Sequence, residues 1–162
     1  MKLKEWALMA EIISGVAIVV TLIFLILEVK ANTDATLAAN RQSLASRTEA
    51  MLLVQSTSPD IARLMTKARS DEEFTDEERY RFGAHIGGHV RLAEEAYLQY
   101  LDGHLEGEYW QTRAGNLLDA RLSNGLAREL WFEWARQDWF TPEFTRWLNT
   151  ALEEKYGPRT PR

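Results

Sequence analysis

The distribution of apolar and polar positions is most uneven at the start of the chain. Between Ala7 and Val29 there are 23 residues with only two charges, Glu11 and Glu28, and no proline. A helix of that length is about 34 Å long, and the hydrocarbon core of a bilayer is about 30 Å thick. Its Leu, Ile, Val and Phe side chains favour insertion by about 6 kcal/mol, against at most about 3 for one acid. The segment predicts one transmembrane helix, with residues 1–30 as the anchor.

A secretory signal peptide is the alternative interpretation of this segment. Lys2 and Lys4 give it a positive start, and Val29-Lys30-Ala31 resembles a cleavage site between small residues. The apolar part of a signal peptide, however, usually has about 7 to 15 residues and carries no acid. The greater length and the presence of Glu11 favour a retained anchor.

The polar residues of the predicted span lie on one side of the helix. Steps of three and four residues from Glu11 lead through Ser14, Ile18 and Thr21, and Gly15 lies beside them. Small and hydrogen-bonding side chains are the groups through which helices associate in lipid. This stripe is therefore a candidate association face. Two alternatives stay open: Glu11 reaches the interface while Ser14 and Thr21 bond their own backbone, or a ring of copies turns Glu11 toward a pore.

The helical pattern continues beyond the predicted span without interruption. From Ala31 to Thr57 there is neither proline nor glycine, and Leu37, Leu44 and Met51 recur every seven residues. An apolar repeat of seven is typical of a helix that packs along one stripe, although this stripe is rich in alanine. Residues 31–57 are predicted to form a helical stalk.

The remainder of the chain predicts a small bundle of amphipathic helices. Ser58-Pro59 has the N-cap and first-turn residues of a short helix. Thr75 and Glu78 form a capping box that opens a long helix from about Asp76 to Leu101, which Gly103 ends. Apolar periodicity predicts three further helices, carrying Trp110 to Leu122, Leu126 to Trp134 and Phe144 to Leu152. The fold class is thus all-α, with a soluble domain over 58–156 and a loose tail over 157–162.

Composition narrows the possible functions. The net charge is -5, which disfavours nucleic acid as a partner because a basic surface is needed to displace counterions from phosphates. The chain contains no cysteine, so disulfides, thiolate metal sites and thiol nucleophiles are excluded. Neither a Gly-x-Ser-x-Gly elbow nor a glycine-rich phosphate loop occurs. We expect a non-catalytic protein that needs no cofactor.

Glycine and tryptophan mark two packing features of the helical domain. Gly83, Gly87 and Gly88 lie inside the long helix, where each costs about 1 kcal/mol relative to alanine. This cost suggests that another backbone passes close by. Five of the six tryptophans lie between Trp110 and Trp147, at spacings that predict core positions rather than a surface patch for a membrane or a partner.

The segment Arg91 to Trp110 resembles a known group of proteins. Its sequence, RLAEEAYLQYLDGHLEGEYW, is similar to the R-x-x-E-[NE]-x-Y-x-Q-Y-x-x-G-x-L-x-x-x-x-W signature of uncharacterised bacterial single-pass membrane proteins. The N-terminal span resembles the start of the same group, and Glu95 stands where asparagine is more usual there. The resemblance implies a membrane anchor and a packed helical domain, and it implies no activity.

The long helix carries the candidate polar chemistry. His85 and His89 are four residues apart, a spacing that lets two imidazoles share a metal, with Glu94 or Glu95 further along. No Glu-x-x-His motif accompanies them, so we expect no metal. Arg91 is predicted to pair with Glu95. The candidate packing or polar cluster consists of Gly83, Gly87, Gly88, Arg91, Glu94, Glu95, Tyr97, Gln99 and Tyr100.

These observations predict a non-catalytic, membrane-anchored helical module. It contacts the lipid bilayer, and it forms a homo-oligomer or joins a larger membrane complex. The alternatives are a channel or transport accessory with Glu11 facing a pore, and a ligand or metal sensor that uses the helix face from His85 to Tyr100. Positive charges are nearly balanced across the span. Because Lys30, Arg41 and Arg47 follow it, we expect a cell-membrane protein whose C-terminal domain lies in the cytoplasm.

Overall fold

The described part of the chain consists of helices joined by short connecting segments. The computed structural model describes residues 3–70 and 72–158, with side chains from Trp6 onward. Within these residues there is no strand, which confirms the all-α class. The elements are α1 (Leu3–Thr57), α2 (Pro59–Arg69), α3 (Asp76–Leu101), α4 (Gly107–Asn116), a π-helical turn (Leu117–Arg121), α5 (Gly125–Arg136) and α6 (Pro142–Tyr156). Lys2, Asp71 and the last four residues of the predicted tail lie outside the described residues.

The chain divides into two compact units between Ala39 and Asn40. In the first unit, the large apolar side chains from Trp6 to Val29 are between 48% and 67% exposed. This part of α1 is long and apolar enough to cross a membrane, as judged by its length and composition. It is the part of α1 that the sequence predicts as the anchor.

The second unit begins within α1, in the half of the helix that the sequence assigns to a stalk. Leu44 is completely buried, and Met51 packs against the same core. Polar contacts hold this segment along its length: Asn40 Nδ2 donates to the carbonyl of His104 at 3.0 Å, and Arg41 pairs with Glu106 at 3.3 Å. Residues 40–57 therefore belong to the compact helical domain, which starts before Ser58 because α1 supplies one of its buried faces.

Local sequence signals position the starts of α2 and α3. Ser58 is the N-cap of α2 and accepts a hydrogen bond from the backbone N–H of Ile61. Thr75 and Glu78 form the predicted capping box at the start of α3. Hydrogen bonds from Arg63 and Lys67 also reach the Glu78 carboxylate, and together with the backbone N–H of Thr75 they lower its pKa to about 2. The same acid thus caps α3 and ties it to α2.

Helix α3 is the central element of the domain. It packs against α2, α4, the π-helical turn, α5 and α6. Phe82, Ile86 and Val90 are almost fully buried along its core side, as their periodicity predicts. Gly103, just beyond its end, has a φ of +72°, a conformation that side chains disfavour and glycine tolerates. The predicted bounds of α3 and its central position are both confirmed.

The π-helical turn was not predicted. The sequence suggests one regular helix through Leu122, but α4 ends at Asn116 and the next five residues form the wider turn. Each π turn takes one residue more than an α turn, so it changes the direction of every side chain that follows it. In this domain it directs Arg121 toward α1, where its guanidinium donates to Gln55 at 2.7 Å.

Aromatic side chains fill the space between α3, α4, α5 and α6. Trp131 is fully buried and contacts Phe140 and Phe144, while its indole N–H donates to Asn149 at 2.9 Å. Trp110 and Trp147 meet edge to face at 4.8 Å. The predicted core positions are thus confirmed for Trp110, Trp131 and Trp134, which are buried, and for Trp147, which is partly buried. Trp139 is an exception, because it is 50% exposed and lies outside the core.

Candidate functional site

Glu94 is the buried centre of the polar cluster on α3. One carboxylate oxygen accepts from the Arg91 guanidinium at 2.8 Å, and the other accepts from the backbone N–H of Thr141 at 2.6 Å. Thr141 is the N-cap of α6, but its hydroxyl makes no capping bond. The carboxylate of Glu94, from another helix, instead accepts from the backbone N–H of this N-cap residue and lies at the positive end of the α6 dipole.

The predicted pairing of Arg91 with Glu95 is wrong. Arg91 pairs with Glu94, and its guanidinium lies 4.2 Å from the centre of the Phe140 ring. Glu95 faces α1 instead, where it pairs with Arg47, and it also accepts from the Gln99 side chain at 3.4 Å. The two adjacent acids point to different neighbours because successive helix positions lie about 100° apart.

Two tyrosines of the same segment belong to the aromatic packing. Tyr97 stacks on Trp147 at 5.5 Å between ring centres, and Tyr100 stacks on Trp110 at 6.3 Å. Tyr97 is half-buried and Tyr100 is partly exposed. These two tyrosines therefore hold α3 against α4 and α6.

The glycines of α3 lie close to side chains and not to a backbone. A Cβ on Gly83 would lie 3.6 Å from Leu130 and from Trp134, and one on Gly87 would lie 3.5 Å from Trp134. A Cβ on Gly88 would meet the terminal methyl of Met51. The predicted close approach of another backbone is therefore wrong. Large side chains of α5 and α1 occupy the space that the glycines leave.

Gly83 and Gly87 also line an open apolar groove between α3 and α5. Its volume is about 560 Å³, and Trp134, Trp139 and Phe140 form much of its wall. Trp134 and Trp139 are nearly parallel, with ring centres 6.2 Å apart. Arg91 lies at one end. The groove is a concave aromatic surface next to the Arg91–Glu94 pair.

His85 and His89 lie on another side of α3, among positive charges. Their rings meet edge to face with centres 4.9 Å apart, and the Nε2 atom of each is buried without a hydrogen-bond partner among the described residues. Burial lowers the pKa of His89 to about 3, and the nearby charges of Arg121 and Arg113 contribute, as does His85. Burial and Arg121 also lower the pKa of His85.

The same surroundings disfavour a cation at the histidine pair. Within the described residues, no group of three or more histidine or acidic side chains could hold a metal ion. Arg121 and Arg113 would repel a bound cation. The geometry therefore gives two neutral imidazoles beside two arginines, an arrangement that suits a negative group better than a metal.

The buried state of His89 predicts a loss of stability in acid. An unfolded imidazole binds a proton near pH 6.5, whereas His89 in the folded protein binds one only near pH 3. Between these values the unfolded state binds more protons, so the stability that is present above pH 6.5 declines as the pH falls toward 3. The charged and titratable groups around His89 are His85 on α3, Arg113 on α4, Arg121 in the π-helical turn and Glu49 on α1.

Denaturant unfolding at pH 7 and at pH 4.5, followed by tryptophan fluorescence, measures this effect. His89→Gln should show a smaller difference in free energy of unfolding between the two pH values than the parent chain. Identical pH dependence in parent and variant would contradict the assigned role of His89.

The predicted association face lies in the first unit. Glu11, Ser14, Gly15, Ile18 and Thr21 are all exposed, and a Cβ on Gly15 would meet no atom within 4 Å. The Thr21 hydroxyl donates to the carbonyl of Ala17 at 2.9 Å. This is the bond expected if the polar residues of the span bind their own backbone. Its oxygen still has acceptor capacity for a neighbouring helix.

Comparisons with known proteins leave the site to be judged on its geometry. No family model matches the chain, and comparisons with curated proteins and with solved structures gave no significant match.

The cationic residues beside the histidines escaped sequence reasoning. Arg113 and Arg121 are eight residues apart and belong to no motif. The cluster that the sequence proposed is divided in the structure: Arg91 and Glu94 face α6, Glu95 faces α1, and the glycines face α5 and α1. The geometry thus defines three features that involve α3: a packing cluster, an apolar groove and a histidine pair beside two arginines.

Proposed function

We propose that the protein is a non-catalytic helical module anchored in the membrane by the N-terminal part of α1. The observation that carries this proposal is the exposure of the apolar side chains between Trp6 and Val29. In water this surface is far larger than the apolar patches that soluble monomers expose. Lipid removes this cost because the apolar side chains then contact hydrocarbon and not water. A helix tolerates that environment because its backbone hydrogen bonds are satisfied internally.

We further propose that the module self-assembles in the membrane. The face of Glu11, Ser14, Gly15, Ile18 and Thr21 supports this step, because Gly15 allows close approach and the polar groups offer hydrogen bonds to a second copy. The product of this association is a homo-oligomer or a larger membrane complex. In this proposal the helical domain is cytoplasmic, so protease added to intact spheroplasts should leave the C-terminus uncut; cleavage there would contradict the orientation.

The double variant Glu11→Leu with Ser14→Leu tests the association face. Leucine keeps the span apolar and removes the interhelical hydrogen bonds, so the particle mass in mild detergent should fall to that of a smaller oligomer or a monomer. Light scattering coupled to size exclusion measures the mass.

A matched control uses the opposite side of the same helix. Val16→Leu with Val20→Leu also adds bulk to the span, but these residues lie away from the polar stripe, and the mass should not change. A parent chain that is monomeric, or equal masses for both double variants, would contradict self-assembly through this face.

A further inference from the structure

A second cavity lies wholly within the helical domain. It is open to solvent on one side, its volume is about 520 Å³, and it is lined by the last turns of α1, by α3, by α4 and by the π-helical turn. Its polar wall contains Arg113, Arg121, His89 and Thr48, and its apolar wall contains Leu92 and Leu117. The cavity therefore combines positive charge with apolar surface.

The two arginines of this cavity differ from most other arginines of the described chain in their partners. Arg113 donates to the Thr48 hydroxyl, to the carbonyl of Leu44 at 2.9 Å and to the Tyr109 hydroxyl at 3.1 Å. Arg121 donates to the Gln55 amide oxygen. All of these acceptors are neutral. Most other arginines in the described part pair with a carboxylate, namely Arg41, Arg47, Arg63, Arg79, Arg81, Arg91 and Arg146.

Both guanidinium groups also keep donors to spare. A guanidinium has five N–H donors in a planar fork that matches the oxygens of a carboxylate or phosphate. Arg121 uses one of them in the described structure, although it is partly buried and burial lowers its pKa. A half-buried charge without a carboxylate partner is costly, and an anion in the cavity would remove that cost.

His89 adds a buried imidazole to the wall of this cavity. Its side chain is only 8% exposed, it lies in the cavity wall, and its Nε2 has no partner among the described residues. The Nε2 atom is buried away from the open space of the cavity, so His89 contributes a neutral part of the wall and the anion site rests on the two arginines.

The π-helical turn is what brings the two arginines together. Two turns of a regular α-helix take about seven residues, so residues eight apart are out of line. The wider turn at Leu117–Arg121 accommodates the additional residue, and Arg113 and Arg121 line the same cavity. Such turns cost stability and occur often at functional sites.

From these observations we propose that the cavity binds an anionic amphiphile, with a phosphate or carboxylate held by Arg121 and Arg113 and an apolar body against Leu92 and Leu117. Glu49 lies in the same wall, and within the described residues it forms no ion pair with either arginine. Its negative charge repels an anionic ligand and lowers the affinity. Removal of that charge should therefore strengthen binding.

Calorimetric titration of the full chain in dodecyl maltoside with hexyl phosphate tests the proposal. The parent chain should show saturable binding, and Arg121→Gln should weaken it by about tenfold or more because a charge-assisted pair is lost. Glu49→Gln should strengthen it. Arg136→Gln, an exposed residue outside this cavity, is the matched control and should bind as the parent does.

Two further titrants separate the parts of the ligand. Inorganic phosphate carries the charge alone and hexanol the apolar chain alone, so both should bind more weakly than hexyl phosphate. Equal binding of hexanol and hexyl phosphate would overturn recognition of the anion, and equal binding of inorganic phosphate would overturn the amphiphile. Equal binding by parent and Arg121→Gln, with unchanged circular dichroism, would overturn the site.

Discussion

Leu44→Ala should lower the free energy of unfolding of the helical domain by about 3 kcal/mol. Leu44 is completely buried, and replacement of a buried leucine by alanine removes apolar contacts and leaves a cavity, at a cost of about 2–5 kcal/mol. The site cannot easily collapse, because Arg113 donates to the Leu44 carbonyl and fixes the helix locally. Denaturant unfolding followed by tryptophan fluorescence measures the change.

Leu53→Ala is the matched control on the same helix. Leu53 is 62% exposed, so its truncation should change the free energy of unfolding by no more than about 0.5 kcal/mol. Equally small effects at both positions would mean that residues 40–57 form a free stalk and not a part of the domain core.

Glu94→Ala should destabilise the domain by about 2–4 kcal/mol. The substitution leaves the backbone N–H of Thr141 without its acceptor at the start of α6, and it removes the partner of Arg91. Loss of one member of a buried polar pair costs about 3–5 kcal/mol, and the partial exposure of Arg91 reduces that figure because water can solvate the guanidinium. Glu94→Gln keeps an acceptor oxygen and should lose only about 1 kcal/mol.

The adjacent acid provides the control for this prediction. Glu95 pairs with Arg47 at the surface, where ion pairs contribute about 0–1 kcal/mol. Glu95→Ala should therefore cost less than about 1 kcal/mol. A similar loss for both alanine variants would contradict the capping of α6 by Glu94.

The features that could be predicted from sequence are those set by near neighbours in the chain. The capping box of Thr75 and Glu78 and the Ser58-Pro59 start depend on residues three positions apart or fewer, and the structure contains both. The apolar periodicity of α3 likewise predicts its buried side. Such signals are local because a helix satisfies its own backbone hydrogen bonds.

The features that escaped prediction depend on distant parts of the chain. The alanine-rich stripe around Leu44 has too little apolar surface to reveal its burial, which depends on distant helices such as α4, where Arg113 donates to the Leu44 carbonyl. The choice of Arg91 between Glu94 and Glu95 depends on where α6 begins. The glycines of α3 leave space for Trp134 and Met51. Their spacing in the sequence predicts a close neighbour but does not indicate whether that neighbour is a side chain or a backbone.

The basic cavity shows the same limit for the candidate site. His85 and His89 attract attention through their spacing, but the charges that determine what they can bind belong to Arg113 and Arg121. Those arginines share a wall only because the helix widens at Leu117–Arg121. The turn contains no proline or glycine that would indicate a departure from regular helix, so the sequence predicts a continuous α-helix there.

The retention of the N-terminal part of α1 in lipid is the claim on which the proposed function depends. Extraction of membranes from cells that express the full chain with alkaline sodium carbonate, followed by centrifugation and immunoblotting, measures it most directly. The exposed apolar surface from Trp6 to Val29 predicts that the protein stays in the membrane pellet. Recovery of the full-length chain in the supernatant would contradict the membrane anchor.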